Sequence, residues 1–308
     1  MDPMETEFIQ HLRKSLGSHD RLRIGLGDDA AILDWRDRDD LVVTTDLISD
    51  EIDFRLAEVD PRRVGRKALA VNLSDLAAMG AEPVAVVVSL LLPRTPPVGT
   101  ALELAVQLYD GMLPLVEQFD CILAGGDTNS WSGPLAINVT AFGSCSDQPL
   151  LRRGAAPGDV ILVTGELGGS ILGHHFDFTP RIAEARRLTR LGLAQVGMDI
   201  SDGLLLDLSR LLNESEVAGV LDLTSIPISD AAHRLSETSG RTPLEHALAD
   251  GEDFELLLTA SPEHAQQIVA DDLLGTPVTA IGKIVAGAGM WADQVGGKKL
   301  EPQGYLHQ

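Results

Sequence analysis

Along the 308-residue chain, short apolar runs alternate with longer stretches whose apolar residues recur every three or four positions. This is the pattern of strands interleaved with amphipathic helices. Residues 5–16 predict a helix closed by Gly17, and 41–45 a β-rich run ending in Asp46. Residues 61–79 open on Pro61, suited to a first helical turn, and stop at Gly80, suited to the residue after a helix. Residues 84–92 read as a buried strand ended by Pro93, and 102–118 as a helix. A short strand over 121–124 runs into Gly125-Gly126-Asp127, and 135–143 alternate as another strand. The turn-rich stretch 152–159 marks a domain boundary near residue 150. Beyond it come a strand at 160–164, a helix near 181–191, a short strand ending at Met198-Asp199, a helix after Ser201 and a strand at 253–259. The expectation is an α/β (α+β) protein with domains at 1–150 and 151–308 and no fixed-period repeat.

Composition narrows the class. A hydrophobic content of 44% with 23% charged residues is that of a soluble globular protein. The N-terminus is acidic and lacks the basic-then-apolar order of a signal peptide. Apolar runs such as 85–92 are too short to span a bilayer. Cys121 and Cys145 form no CxxC pair, which argues against a disulfide framework or a thiolate zinc site and points to a reduced, cytoplasmic setting. A net charge of -22 without a basic stripe repels nucleic acid and anionic membranes.

Most of the 46 acids serve solubility, but a subset sits in unusual company. Gly27-Asp28-Asp29 places two acids after a glycine turn, a pattern that is also an ordinary surface turn. Thr44-Thr45-Asp46 offers hard oxygen donors at an expected strand end. Asp75 interrupts an almost wholly apolar helix and shares a face with Asn72. A carboxylate there needs a cation or a basic partner such as Lys67 or Arg66. Gly125-Gly126-Asp127-Thr128 suits close backbone approach to a phosphate with a cation alongside, and equally a hairpin or bulge. In Asp199-Ile200-Ser201-Asp202-Gly203, Ser201 reads as a helix N-cap. Gly251-Glu252-Asp253-Phe254-Glu255-Leu256 sets three acids around the start of a buried strand. No GxxxxGK[ST], no GxGxxG, no protein-kinase signature and no HExxH occurs.

These stretches, in this order and over nearly the whole chain, resemble the thiamine-monophosphate kinase family of the aminoimidazole-ribonucleotide-synthetase-like ATP-binding superfamily. The long Asp75 stretch and Gly251–Leu256 are the specific parts. The resemblance implies a two-domain PurM-like fold: an N-terminal ATP- and magnesium-binding, dimerising domain with a mixed sheet, and a C-terminal α/β domain completing the nucleotide and substrate site. It also implies a homodimer and phosphoryl transfer from ATP to thiamine monophosphate, assisted by several magnesium ions; the acceptor phosphate is already an anion near neutral pH, so no strong general base is required. Carried over by position, Asp29, Thr44, Thr45, Asp46, Asp75, Asp127, Asp199 and Asp202 match magnesium ligands or their neighbours. Gly126, Asp127, Arg152 and Ser201 match ATP contacts, and Glu252 and Tyr305 contacts to thiamine. The family commonly has a His where this chain has Asp53, and the stretch between Gly169 and Pro180 is short. Alternatives are another ATP-dependent phosphotransferase or synthetase of the superfamily, or a non-catalytic nucleotide-binding protein, which Asp53 alone favours.

Overall fold

The computed structural model describes residue 12 and residues 20–24, 32–35, 40–97, 99–270 and 273–305. The helix expected over 5–16, except Leu12, and the acids Asp28 and Asp29 lie outside these residues. The chain divides into two compact units, one of residues 1–76 and 82–146, the other of 77–81 and 147–308.

The first unit holds the strands β1 (Leu22–Ile24), β2 (Ile32–Leu33) and β3 (Asp40–Ser49), then helix α1 (Pro61–Ala78) and strand β4 (Glu82–Pro93). Helix α2 (Ala101–Gln118) and strands β5 (Ile122–Trp131) and β6 (Ala136–Cys145) complete it. Besides the β1–β2 pair it contains a four-stranded sheet in the order β3-β6-β4-β5. Only the β4–β5 pair of that sheet is parallel, so it is the expected mixed sheet. Helix α1 begins where the Asp60 carboxylate accepts the Arg62 N–H at 2.9 Å. Its first turns are rich in arginine, but from Lys67 to Ser74 every residue is buried, the Lys67 side chain included. Thr100 and Glu103 form a reciprocal capping box that starts α2.

The second unit contains β7 (Val160–Thr164), the one-turn helix α3 (His174–Asp177), α4 (Ile182–Leu191), β8 (Val196–Asp199), α5 (Leu204–Glu214) and β9 (Ala218–Leu221). There follow α6 (Asp230–Ser239), α7 (Pro243–Ala249), β10 (Leu256–Ala260), α8 (Pro262–Ala270), β11 (Val278–Val285), β12 (Gly289–Ala292) and β13 (Lys299–Leu300). Its seven strands lie in the order β13-β12-β9-β11-β7-β10-β8. Its core is built from β7, β8, β10 and β11 with the apolar stripe of α5, where Leu204, Leu208 and Leu211 are fully enclosed.

Three local expectations are corrected. Asp46 is not at a strand end: β3 runs on to Ser49, because each residue of 40–49 pairs with β6. Asp127 is likewise inside a strand, since β5 continues in register beside β4 as far as Trp131. Ser201 does not cap α5. Gly203 takes the N-cap position without a side-chain cap, and the Asp207 carboxylate instead accepts the N–H groups of Ser201, Asp202 and Gly203 at 3.1, 2.9 and 3.1 Å. Among the described residues no helix is long and apolar enough to cross a membrane.

Candidate functional site

In the first unit, strand alternation sorts the Thr-Thr-Asp stretch. Successive residues of a strand point to opposite faces, so Thr44 and Asp46 share one face of the sheet and Thr45 takes the other. Thr45 Oγ1 is 3.1 Å from the Val139 carbonyl oxygen and 2.9 Å from Thr140 Oγ1, and accepts from the Asn138 amide at 3.0 Å. On the inner face, Thr44 Oγ1 donates to Asp75 Oδ2 of α1 at 2.5 Å. Asp46 lies in hydrogen-bonding reach of the same Asp75 carboxylate. Burial first, then the charge of Asp75, the hydrogen bond to it and the charge of Asp53, push the Asp46 carboxyl from 3.8 up to about 7. Two acids that approach this closely in a poorly solvated place share a proton unless a cation replaces it.

The sheet register places the remaining expected ligands. Asp46, Val139, Val88 and Gly126 form one cross-strand row. A Cβ on Gly126 would stand 1.9 Å from the Val88 carbonyl oxygen, so only glycine fits there. The next row joins Leu47, Asn138, Ser89 and Asp127, which puts Asp127 on the opposite, exposed face from Thr44 and Asp46. Its Oδ1 accepts the Thr128 N–H at 2.9 Å. Among the described residues no group of three or more His, Cys, Asp or Glu side chains is placed to hold a metal ion.

Asp53 sits in the turn between β3 and α1. Its carboxylate accepts the Ser49 N–H at 2.7 Å, and its carbonyl oxygen accepts from the enclosed Lys67 ammonium at 2.9 Å. A cavity of about 770 Å³ opens beside this turn, lined by Asp50, Arg55, Glu58, Pro93, Thr95 and Pro134 among others. That size admits a small organic ligand. Asp53 is not among its lining residues.

In the second unit, Asp199, Ser201, Asp202, Glu252 and Tyr305 are brought together from three segments of the chain. The Glu252 N–H donates to the Ser201 carbonyl at 2.7 Å and the Phe254 N–H to the Ile200 carbonyl at 2.8 Å. The Tyr305 N–H donates to the Asp202 carbonyl at 2.9 Å, while the ring stays half exposed. Asp199 and Asp202 are buried. Asp202 pairs with Arg210 at 2.6 Å, and the same guanidinium reaches Asp207 at 2.7 Å. Burial outweighs the N–H and Arg210 contacts and moves the Asp207 carboxyl up to about 6. Arg152 is exposed, and its carbonyl accepts from Ser215 Oγ at 2.9 Å. Sequence reasoning missed Asp207 and Arg210; their spacing of three on one helix face, just after Asp202-Gly203, is the signal that was available.

Comparison with known proteins bears on what these residues serve. Residues 27–145 match the family model for the N-terminal domain of AIR synthase related proteins, and residues 156–291 the model for their C-terminal domain. The thiamine-monophosphate kinase of Rhodopirellula baltica is 43% identical over 99% of this chain and 97% of its own length. The chain belongs to the thiamine-monophosphate kinase family. Among solved structures, the thiamine-monophosphate kinase from Stenotrophomonas maltophilia K279a superposes with a TM-score of 0.80 at 34% identity, covering 93% of this chain and 95% of that one. AaThiL complexed with AMPPCP and TMP gives a TM-score of 0.78 at 29% identity, covering 99% and 97%. The α/β, two-domain PurM-like fold expected of a thiamine-monophosphate kinase is therefore borne out.

Proposed function

We propose that the protein transfers the γ-phosphoryl group of ATP to the phosphate of thiamine monophosphate, giving thiamine diphosphate and ADP. Full-length similarity to a thiamine-monophosphate kinase is the observation that carries this reading. The AaThiL complex with an ATP analogue and TMP supports the same pair of substrates. The acceptor is already an anion near neutral pH, so no residue is assigned as a general base.

Bringing two phosphate anions together in a protein of charge -22 requires cations. Magnesium supplies charge neutralisation at the phosphate oxygens when bound. The residues fit it: Thr44, Asp46 and Asp75 converge as hard oxygen donors, and burial with the nearby Asp75 charge raises the Asp46 carboxyl, a repulsion that a bound cation would relieve. Asp29, Thr45, Asp127, Asp199 and Asp202 are the further ligands we assign from the family resemblance. Gly126, Asp127, Arg152 and Ser201 contact ATP in this reading. Gly126 keeps the β5 backbone free of a side chain. Asp53, Glu252 and Tyr305 contact the thiamine side.

We assign a homodimer through the exposed face of the four-stranded sheet. Leu41, Val43 and Leu47 alternate along β3 and are 53%, 53% and 65% exposed, an apolar stripe beside Thr140 and Ser89. Exposed large apolar side chains on a sheet face, here interrupted only at Thr45 on β3, suit burial against a second copy. Cys121 and Cys145 are buried and form no disulfide, which supports a reducing, cytoplasmic setting.

A coupled assay with ATP, magnesium and thiamine monophosphate tests the reading, with free thiamine as the control acceptor. ADP release that depends on thiamine monophosphate is expected. Turnover with free thiamine alone contradicts it.

A further inference from the structure

Glu252 and Phe254 both adopt the left-handed backbone region, with φ of +64° and +51°, on either side of the buried Asp253. Side-chain-bearing residues seldom enter that region, so two in three positions require surroundings that impose the conformation. The backbone bonds to Ser201 and Ile200 supply one side of the restraint. The other side comes from the short stretch after β7, whose purpose is not evident from its composition.

Segment 168–181 runs along 250–255 and grips it residue by residue. The Gly168 N–H donates to both Asp253 carboxylate oxygens at 2.9 and 3.1 Å, and the Gly169 N–H donates to Asp250 at 3.0 Å. Ser170 Oγ donates to the Gly251 carbonyl, and the His174 ring lies 3.2 Å from the Asp253 carbonyl. Phe178 stacks on Phe254 with ring centroids 4.1 Å apart and an interplanar angle of 15°. Arg181 clasps the enclosed Glu255 carboxylate, with its Nε at 2.7 Å, and also reaches Thr276 at 3.1 Å. Gly168 itself has a φ of +89°, and a Cβ there would stand 2.6 Å from the Ala247 nitrogen, so the first grip depends on glycine. These contacts engage residues 250, 251, 253, 254 and 255, that is, both sides of Glu252.

We propose that segment 168–181 is a template that sets the conformation of Glu252, making Phe178 and Arg181 positioning residues for the thiamine side of the substrate. The proposal rests on the assignment of Glu252 as a contact to thiamine monophosphate. Neither Phe178 nor Arg181 touches substrate in this account. Their action is geometric, because a misplacement of about 1 Å in a contacting group can cost up to about a hundredfold in the reaction it serves.

The experiment compares Phe178→Leu, which removes the stack but keeps an apolar side chain, with Arg181→Lys, which keeps the charge but loses the two-pronged grip. The two variants are independent, so one that does not fold leaves the other as the test. Each is expected to raise KM for thiamine monophosphate roughly tenfold with KM for ATP changed less than about twofold. Combined with Glu252→Gln, neither adds a further increase. Equal rises in both KM values, no rise in either, or effects that multiply with Glu252→Gln overturn the template. An unchanged thiamine monophosphate KM in Glu252→Gln itself overturns the substrate contact and the proposal with it. A responsive Glu252→Gln with silent Phe178→Leu and Arg181→Lys overturns the template alone.

Discussion

Asp46 on β3 and Asp75 on α1 approach within hydrogen-bonding reach, with Thr44 donating to the second of them. Two carboxyl groups so close in a poorly solvated place are unfavourable as a doubly charged pair. A proton on the pair relieves that repulsion, and under the proposed function magnesium would do the same.

Asp75→Asn and Asp127→Asn test the ligand assignment on the two faces of the sheet. Each is expected to lower kcat by roughly a hundredfold or more while far-UV circular dichroism stays unchanged. Near wild-type turnover in either variant removes that residue from the metal site.

The pH dependence of the cation-free protein follows from the raised carboxyl of Asp46. Its folded-state value of about 7 exceeds the ordinary 3.8, so the folded state holds a proton that the unfolded chain releases in between. The stability contributed by Asp46 is thus fully present below about pH 4 and is lost as pH rises through about 7. Under the proposed function, magnesium bound by Asp46 and Asp75 would compete with that proton. The gain in Tm on adding magnesium should be larger at pH 8 than at pH 5.5 by scanning fluorimetry. An equal gain at both pH values contradicts the competition.

Asp207 accepts three backbone N–H groups ahead of α5 and shares Arg210 with Asp202. Asp207→Ala leaves those donors buried without an acceptor and is expected to cost about 2–4 kcal/mol in urea unfolding. Arg210 keeps Asp202, so part of the local order survives. A change below about 0.5 kcal/mol rules out this capping role.

Leu47→Glu sets a charge at the most exposed apolar position of β3. Sedimentation velocity should show the wild type as a dimer and the variant as a monomer, with helix content retained. An unshifted dimer would place the interface elsewhere.

Most of the element order was legible in the sequence because it rests on local periodicity and punctuation. The Pro61 start and Gly80 stop of α1 are examples, and the helix observed is Pro61–Ala78. The departures share one cause. Gly125-Gly126-Asp127 reads locally as a turn, yet β4 on one side supplies a complete set of pairing partners and keeps the segment in a strand. Asp46 reads as a terminus for the same reason, because the pairing of β3 with β6 is not visible in either segment alone. At Ser201 the local preference for a serine cap lost to a carboxylate six residues on, which satisfies three donors at once.

By itself the sequence determined the family, the alternating architecture and which acids stand apart from the solvated majority, since all three lie in residue order and composition. Only the tertiary structure decided how those acids group. It joined Thr44, Asp46 and Asp75 while turning Thr45 and Asp127 to the other face, because strand alternation and cross-strand register decide the direction of each side chain. It also decided what holds Glu252 in place, because the conformation of that residue is imposed by a segment far away in the chain rather than by its own neighbours.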